Sequence, residues 1–195
     1  VTGEHIVTSK YGLMTNWVKE VAKNGSLRRN PDKDPTVGGA LVSPTAGGTI
    51  NWEPPAFNPD TGLFYVSERN GYTLFYLTET DPRGSMGLGG VEQVGVGSAG
   101  SYLTAIDYRT GKIVWRRPYP GGANGGGGGL LTSAGGLVFA GDAGGNIVAY
   151  DATSGAPLWH SHIGNVTAPP QTYMLDGRQY LLVAIGNTYY AFTLY

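Results

Sequence analysis

The chain has 195 residues, of which 41% are hydrophobic and 14% charged, and its formal net charge is −1 at pH 7. Its 13 basic residues are scattered, so it lacks the concentrated cationic face with which proteins neutralise nucleic-acid phosphates. The absence of cysteine excludes disulfides, thiolate chemistry, Cys-ligated zinc and covalent c-type haem, and the longest apolar run, at residues 180–185, is too short to span a bilayer as a helix.

With 33 glycines and 12 prolines, the composition favours strands and turns over helices, and predicts an all-β fold. Residues 1–37 are the least sheet-like and are predicted to form an irregular linking segment. Within it, Asn16–Ala22 is a candidate short helix that ends at Asn24–Gly25. The chain begins at Val1 rather than Met, from which we expect a processed or truncated polypeptide.

From residue 38 to residue 195 the pattern becomes one of short strands separated by turn residues. A glycine-rich lead-in at 38–44 precedes a first sheet unit, and Thr78–Ser98 is predicted to be a long loop inserted between its second and third strands. The strands predicted for this unit are Ile50–Ala56, Leu63–Ser67, Tyr102–Asp107 and Lys112–Trp115.

A second unit is more regular, with four predicted strands and three tight turns. A third begins at Ala168, and its outer strand is expected to come from elsewhere or to be missing. The predicted strands are Leu130–Ser133, Leu137–Gly141, Ile147–Asp151 and Pro157–Ile163 in the second unit, and Tyr180–Ile185 and Tyr189–Leu194 in the third.

The most informative feature is a repeat with a period of 44 positions. The motif Ala-x-Asp-x-x-x-Gly-x-x-x-Trp occurs at Ala105–Trp115 and again at Ala149–Trp159, with every shared residue displaced equally. Such a period is typical of stacked β-sheet units, because each unit buries its apolar faces only against its neighbours. In both copies the Asp is predicted to stabilise a turn rather than to act as a catalytic acid, since a turn is needed in every unit.

Four-stranded units at this period fit the blades of a β-propeller, in which the Trp of each last strand packs against the next blade. The chain therefore predicts a partial propeller of about three to four blades. So few blades cannot close a ring, and their unpaired sheet edges would favour association with the remaining blades or with a second copy.

Several segments resemble pyrroloquinoline quinone (PQQ)-dependent alcohol dehydrogenases, the quinoprotein family. Gly47–Val66 is similar to that family's "GG-x-NW-x-P…TGL-Y-V" signature. Leu131–Asp142, both Trp-ended motifs and Asp176–Tyr180 add to the likeness, which covers residues 38–195 and follows the order of the family's C-terminal half. The sequence most resembles the acidobacterial quinoprotein-like branch of the family, whose chains end in a segment similar to Gly186–Leu194.

The resemblance implies an eight-bladed propeller with tryptophan docking motifs, PQQ on its axis, a neighbouring Ca²⁺ ion and an Asp base, in a periplasmic or secreted enzyme that oxidises alcohols. The family's calcium ligands and catalytic Asp lie mainly upstream of the matched portion. No catalytic or metal-ligating residue is therefore assigned in this chain, and it is not expected to be catalytic on its own.

The resemblance makes Asn51 the best candidate for a cofactor contact, since the family's Asn lies near the quinone edge and an amide can donate to quinone oxygens. The alternative is a turn Asn that bonds to the local backbone. Trp52 is assigned to the same pocket, with packing in the protein core as the favoured alternative. Where the family commonly carries a Trp on the pocket floor, this chain has Asn124–Gly129. This run suits either a close approach of the backbone to a flat ligand or a loop that binds nothing.

Other motifs are weak. Gly95-x-Gly97-x-x-Gly100 has dinucleotide-loop spacing, but a strand follows it where a helix is required. His160 and His162 alternate on one face of a strand without a third ligand at suitable spacing.

Two hypotheses follow. The chain is the C-terminal portion of a PQQ-dependent alcohol dehydrogenase-like oxidoreductase, or it is a non-catalytic propeller scaffold or assembly module that binds no cofactor.

Overall fold

The computed structural model describes residues 3–79, 90–120 and 127–194, and these residues are almost entirely β-structure. They form two-, three-, four- and five-stranded antiparallel sheets and a single 3-10 turn, Pro31–Lys33. None of the described segments is a helix long and apolar enough to cross a membrane. The strands are β1 Val18–Val21, β2 Leu27–Arg29, β3 Ala40–Val42, β4 Ala56–Asn58, β5 Leu63–Leu77, β6 Val91–Asp107, β7 Ile113–Pro118, β8 Leu130–Thr132, β9 Leu137–Gly141, β10 Asn146–Asp151, β11 Pro157–His162, β12 Gln171–Leu175, β13 Arg178–Ile185 and β14 Thr188–Thr193.

The chain folds as two compact units, each built from two stretches of sequence. Unit 1 comprises Val1–Thr49 and Asn70–Ala99, and unit 2 comprises Ile50–Arg69 and Gly100–Tyr195. The long strands β5 and β6 contribute residues to both units. The predicted boundary at residue 37, between the linking segment and the blades, stays a prediction.

Unit 1 corrects the prediction of a helix at Asn16–Ala22. Val18–Val21 is instead strand β1, which pairs antiparallel with β2. The Asn24–Gly25 pair forms the hairpin turn, because Asn24 Oδ1 accepts the Ser26 N–H at 3.1 Å and Gly25 adopts a φ of +83°. Two β-branched valines before an Asn-Gly turn favour a hairpin over a helix end.

The predicted loop Thr78–Ser98 is also corrected where the structure describes it. Strand β6 begins at Val91, and the Thr78 N–H donates to the Gly90 carbonyl at 2.9 Å at the end of the β5–β6 pair. Valines at 91, 94 and 96 supply the β-propensity that the intervening glycines obscured. Residues 80–89 of that prediction lie outside the described residues.

Unit 2 contains the predicted blades, and the chain is a partial β-propeller. Strands β4, the first half of β5, the second half of β6, and β7 lie side by side, followed by a β8–β9–β10–β11 sheet and a β12–β13–β14 sheet. The four strands predicted for the second unit are confirmed. The first strand of the first unit begins only at Ala56 rather than at Ile50, because Pro54 and Pro55 have no N–H to donate to a neighbouring strand.

Two apolar clusters hold these sheets face to face. In the first, Tyr65, Leu103 and Trp115 pack against Val138, Ala140 and Tyr150 of the next sheet. In the second, Phe139, Ile147 and Ala149 from the opposite face of that next sheet pack against Leu181 and Val183 of the third. The middle sheet is therefore buried on both faces, as expected of a stacked repeat.

The two repeated Asp residues form the same turn, which confirms their predicted role. The Asp107 carboxylate accepts the N–H groups of Arg109 and Thr110 at 3.0 and 2.8 Å. The Asp151 carboxylate accepts those of Thr153 and Ser154 at 3.1 and 2.7 Å. Hydrogen bonds from Thr110 and Ser154 hold the pKa of Asp107 and Asp151, respectively, below the usual value, because such bonds favour the charged carboxylate.

Each repeated Trp contacts the following sheet. Trp115 is only 9% exposed, and its Nε1–H donates to the Ala152 carbonyl at 3.1 Å. Its indole lies against Gly155, the glycine of the second repeat, where a Cβ would approach Trp115 Cε3 to 2.6 Å. Trp159 meets Phe192 edge to face at 5.3 Å and remains 41% exposed.

The packing of Trp115 on Gly155 predicts that two glycine-to-alanine substitutions destabilise the chain to different extents. Gly155→Ala is expected to lower the free energy of unfolding by about 2–4 kcal/mol, because the added methyl group clashes with the indole and an L-residue is strained at φ +69°. Gly177→Ala has a similar φ of +75° with no atom within 4 Å of its Cβ, and is expected to cost about 1 kcal/mol. Urea unfolding of both variants measures the difference, and equal losses would contradict the assigned Trp115 contact.

Candidate functional site

A cleft of about 410 Å³ opens in unit 2 at the ends of its sheets. One wall is formed by Trp52, Glu53 and Arg69, which come from the loop before β4 and from β5. The remaining lining comes from the connections before β8, after β9 and after β11. Its residues are Gly127, Gly128, Ala143, Asn165, Val166 and Thr167.

The first wall carries a charged pair that sequence reasoning missed. The Glu53 carboxylate is bonded to the Arg69 guanidinium, and the two side chains are 5% and 41% exposed. Removing a carboxylate from water is costly unless a cation pairs with it, so Arg69 compensates the burial of Glu53. The sequence signal was a charged Glu68-Arg69 pair following an apolar strand in a chain with few charges.

Two residues of the remaining lining, Gly127 and Gly128, contribute only backbone, and they are packed too closely for side chains. A Cβ on Gly127 would lie 2.5 Å from the Val166 carbonyl oxygen, and one on Gly128 would lie 2.6 Å from that of Ala168. Gly129 is similarly close to Pro54. At these three positions, the glycines allow two segments of the chain to approach closely. Whether the glycine run approaches a flat ligand stays a prediction. Residues 124–126 of that run lie outside the described residues.

Buried polar groups lie next to the cleft. Asp142 is buried beside the cleft residue Ala143, and its two carboxylate oxygens accept hydrogen bonds from the Asn146 amide at 3.1 and 2.9 Å. Burial, with a further contribution from the charge of Asp142, raises the pKa of Tyr150 to about 12. Burial also raises the pKa of Tyr119. Both phenols are therefore neutral at physiological pH.

The structure separates the two residues assigned to a cofactor contact. Trp52 lines the cleft and is 63% exposed, so packing in the core, the alternative favoured for it, is wrong. Asn51 is exposed and precedes it in the same irregular segment, but the described lining of the cleft does not include it. Whether either residue contacts a cofactor stays a prediction.

The structure forms neither a phosphate site at the glycine motif nor a metal site at the two histidines, among the residues it describes. Gly95, Gly97 and Gly100 all lie within strand β6, so no helix follows them to bind a phosphate. His160 and His162 lie on β11, and the described residues contain no group of three or more His, Cys, Asp or Glu side chains arranged to hold a metal ion.

A second, larger groove of about 870 Å³ lies between the sheets β8–β11 and β12–β14. It is lined mainly by apolar side chains, including Phe139, Trp159, Leu181 and Phe192. It lacks the buried charged pair of the first cleft, so the first cleft is the better candidate for binding a polar ligand.

Comparison with known proteins identifies the family. Residues 99–194 match the PQQ_2 family, described as outer membrane protein assembly factor BamB. Over 176 residues the chain is 36% identical to the quinoprotein ethanol dehydrogenase of Pseudomonas aeruginosa, an alignment that covers 86% of this chain and 27% of that protein. It is 31% identical over 205 residues to the quinohemoprotein alcohol dehydrogenase of Comamonas testosteroni, covering 95% of this chain and 28% of the relative.

A solved structure agrees with these relatives. The quinohemoprotein alcohol dehydrogenase ADHIIG of Pseudomonas putida HK5 superposes with a TM-score of 0.81 at 27% sequence identity, over 93% of this chain and 29% of that structure. The chain belongs to the quinoprotein alcohol dehydrogenase family. It spans little more than a quarter of the length of these family members. Its placement near the acidobacterial branch stays a prediction.

The cleft of this quinoprotein segment fits part of a flat anionic quinone. It offers one exposed indole, a stretch of glycine backbone and a guanidinium whose five N–H donors exceed what Glu53 can accept. It offers no set of carboxylates for calcium among the described residues. These residues can therefore hold PQQ at one edge, whereas Ca²⁺ would need ligands from other residues.

The raised pKa of Tyr150 predicts a loss of stability in alkali. Its pKa is about 12 in the folded chain and 10.0 when unperturbed, so stability present below pH 10 is lost as the pH rises toward 12. Tyr150→Phe is expected to reduce this loss by about 1–3 kcal/mol. Urea unfolding at a series of pH values measures it, with the exposed Tyr189→Phe as control. An unchanged alkaline slope in Tyr150→Phe would show that its environment does not oppose ionisation.

Proposed function

We propose that this chain forms part of the propeller of a PQQ-dependent alcohol dehydrogenase and that its cleft contributes to the cofactor site. The supporting observation is the convergence of Trp52, Arg69 and the Gly127–Gly128 backbone on one cleft in a chain of this family. When bound, PQQ accepts the two electrons and hydrogen removed from the alcohol. The residues described here would bind and orient the cofactor rather than take part in proton transfer.

In this proposal, the rest of an eight-bladed propeller supplies the calcium ligands and the catalytic base. The Trp contacts on successive sheets act as docking motifs that hold the blades together. The chain alone would then bind PQQ without oxidising alcohol. A periplasmic or secreted location, in which such enzymes meet their substrates, is part of the same proposal.

The second candidate is a non-catalytic scaffold or assembly module. It is favoured by the close packing of Gly127–Gly129, which accounts for these glycines without any cofactor. It is also consistent with the apolar side chains exposed on β12 and β14, including Met174 and Tyr189, which suit association with another sheet or a second copy. Native mass spectrometry separates monomers from self-assembled forms.

Titration of the chain with PQQ, followed by tryptophan fluorescence and by equilibrium dialysis, tests the cofactor proposal. Stacking of PQQ on Trp52 is expected to quench its emission, and Trp52→Leu to weaken binding by about tenfold. Trp17→Leu removes an indole of unit 1 and is the matched control, with unchanged affinity expected. Asn51→Ala tests the predicted amide contact in the same assay.

Absence of PQQ binding in dialysis would refute the cofactor proposal and favour the scaffold. Binding that is equally strong in Trp52→Leu would instead place the cofactor outside the described cleft.

A further inference from the structure

We propose that Arg69 is the carboxylate-binding residue of the cleft and that Glu53 is the positioning residue that holds it in place. The ligand class is a flat aromatic ring system that bears a carboxylate. This inference deepens the cofactor site proposed above, and rests on it for the identity of the natural ligand.

Among the residues of unit 2 that the structure describes, Glu and Arg form two pairs, and the surroundings of the two pairs differ. In the pair Glu68–Arg116, Glu68 is fully buried, Arg116 is 23% exposed, and Arg116 Nε lies 2.8 Å from Glu68 Oε1. Arg116 also donates to Thr104 Oγ1 at 3.2 Å and lies over the Tyr102 ring. This guanidinium is enclosed by the protein, as expected of a structural ion pair.

In the pair Glu53–Arg69, the Arg69 guanidinium is partly exposed to the cleft. Glu53 is buried, whereas the Arg69 side chain is 41% exposed and lines the cleft. A carboxylate fixed in the wall orients the planar guanidinium, and the donors that Glu53 does not use remain available to a ligand.

The rest of the cleft defines the shape of the ligand. Trp52 presents an exposed indole on the same wall, adjacent in sequence to Glu53. Gly127 and Gly128 also line the cleft, with backbone and without side chains. An aromatic surface beside a guanidinium favours a ring that stacks and a carboxylate that accepts two N–H bonds.

Quinoline-2-carboxylate and neutral quinoline are suitable probes, because they differ only in the carboxylate. Arg69→Gln is expected to weaken binding of quinoline-2-carboxylate by about tenfold or more and to leave quinoline binding unchanged. Arg69→Lys keeps the positive charge but loses the planar guanidinium that can donate two parallel hydrogen bonds. Its affinity for quinoline-2-carboxylate is expected to lie between those of Arg69→Gln and the unmodified chain. Arg117→Gln, which removes an exposed arginine that donates to the Ser154 carbonyl, is the matched control.

Glu53→Gln tests the positioning role. If Glu53 orients Arg69, this variant weakens quinoline-2-carboxylate binding, and the Arg69 Nε–H signal in NMR shows faster rotation of the guanidinium. If Glu53 only competes for the cation, the variant binds the carboxylate more tightly, which would overturn the positioning claim. Circular dichroism checks that each variant is folded.

The test separates this inference from the cofactor proposal. Arg69-dependent binding of quinoline-2-carboxylate without PQQ binding would refute the cofactor proposal and leave Arg69 as a carboxylate site. PQQ or quinoline-2-carboxylate binding that is unaffected by Arg69→Gln would overturn the role of Arg69. In the unmodified chain, protection of Arg69 from phenylglyoxal by quinoline-2-carboxylate gives the same answer without a substitution.

Discussion

The burial of both faces of the β8–β11 sheet is the constraint on which the rest of unit 2 depends. One face packs on the β4–β7 sheet through Trp115 and the other on the β12–β14 sheet through Phe139 and Ile147. No sheet of this kind can bury its apolar residues alone, so the neighbouring sheets stabilise each other. The Asp107 and Asp151 turns fix where each outer strand begins, and thereby the position of each Trp.

The cleft follows from this stacking. Successive sheets bring their connecting loops to one place, where Trp52, the glycines at 127–128 and residues 165–167 meet. The polar groups there are either paired or neutral. Glu53 is bonded to Arg69, Asp142 to Asn146, and burial keeps the proton on Tyr150. Arg69, whose charge is paired with that of Glu53, is the group on this wall that stays partly exposed to solvent.

The sequence predicted the repeated part of the fold well, because repetition provides two independent observations of the same turn and strand. The second unit and both Asp turns are confirmed. It failed at Asn16–Ala22 and Val91–Ser98, where each segment occurs once and neighbouring strands decide the conformation. The site was harder to predict. Trp52 was found through resemblance, but Glu53 and Arg69 are 16 positions apart and meet only in the folded chain.

The cleft residues lie mostly on connections, whereas the stabilising contacts lie within strands and repeat turns. Substitutions that reshape ligand recognition therefore need not disturb the packing of Trp115 on Gly155. The surface at the ends of the loops can therefore change in sequence while the packed sheets that support it stay the same.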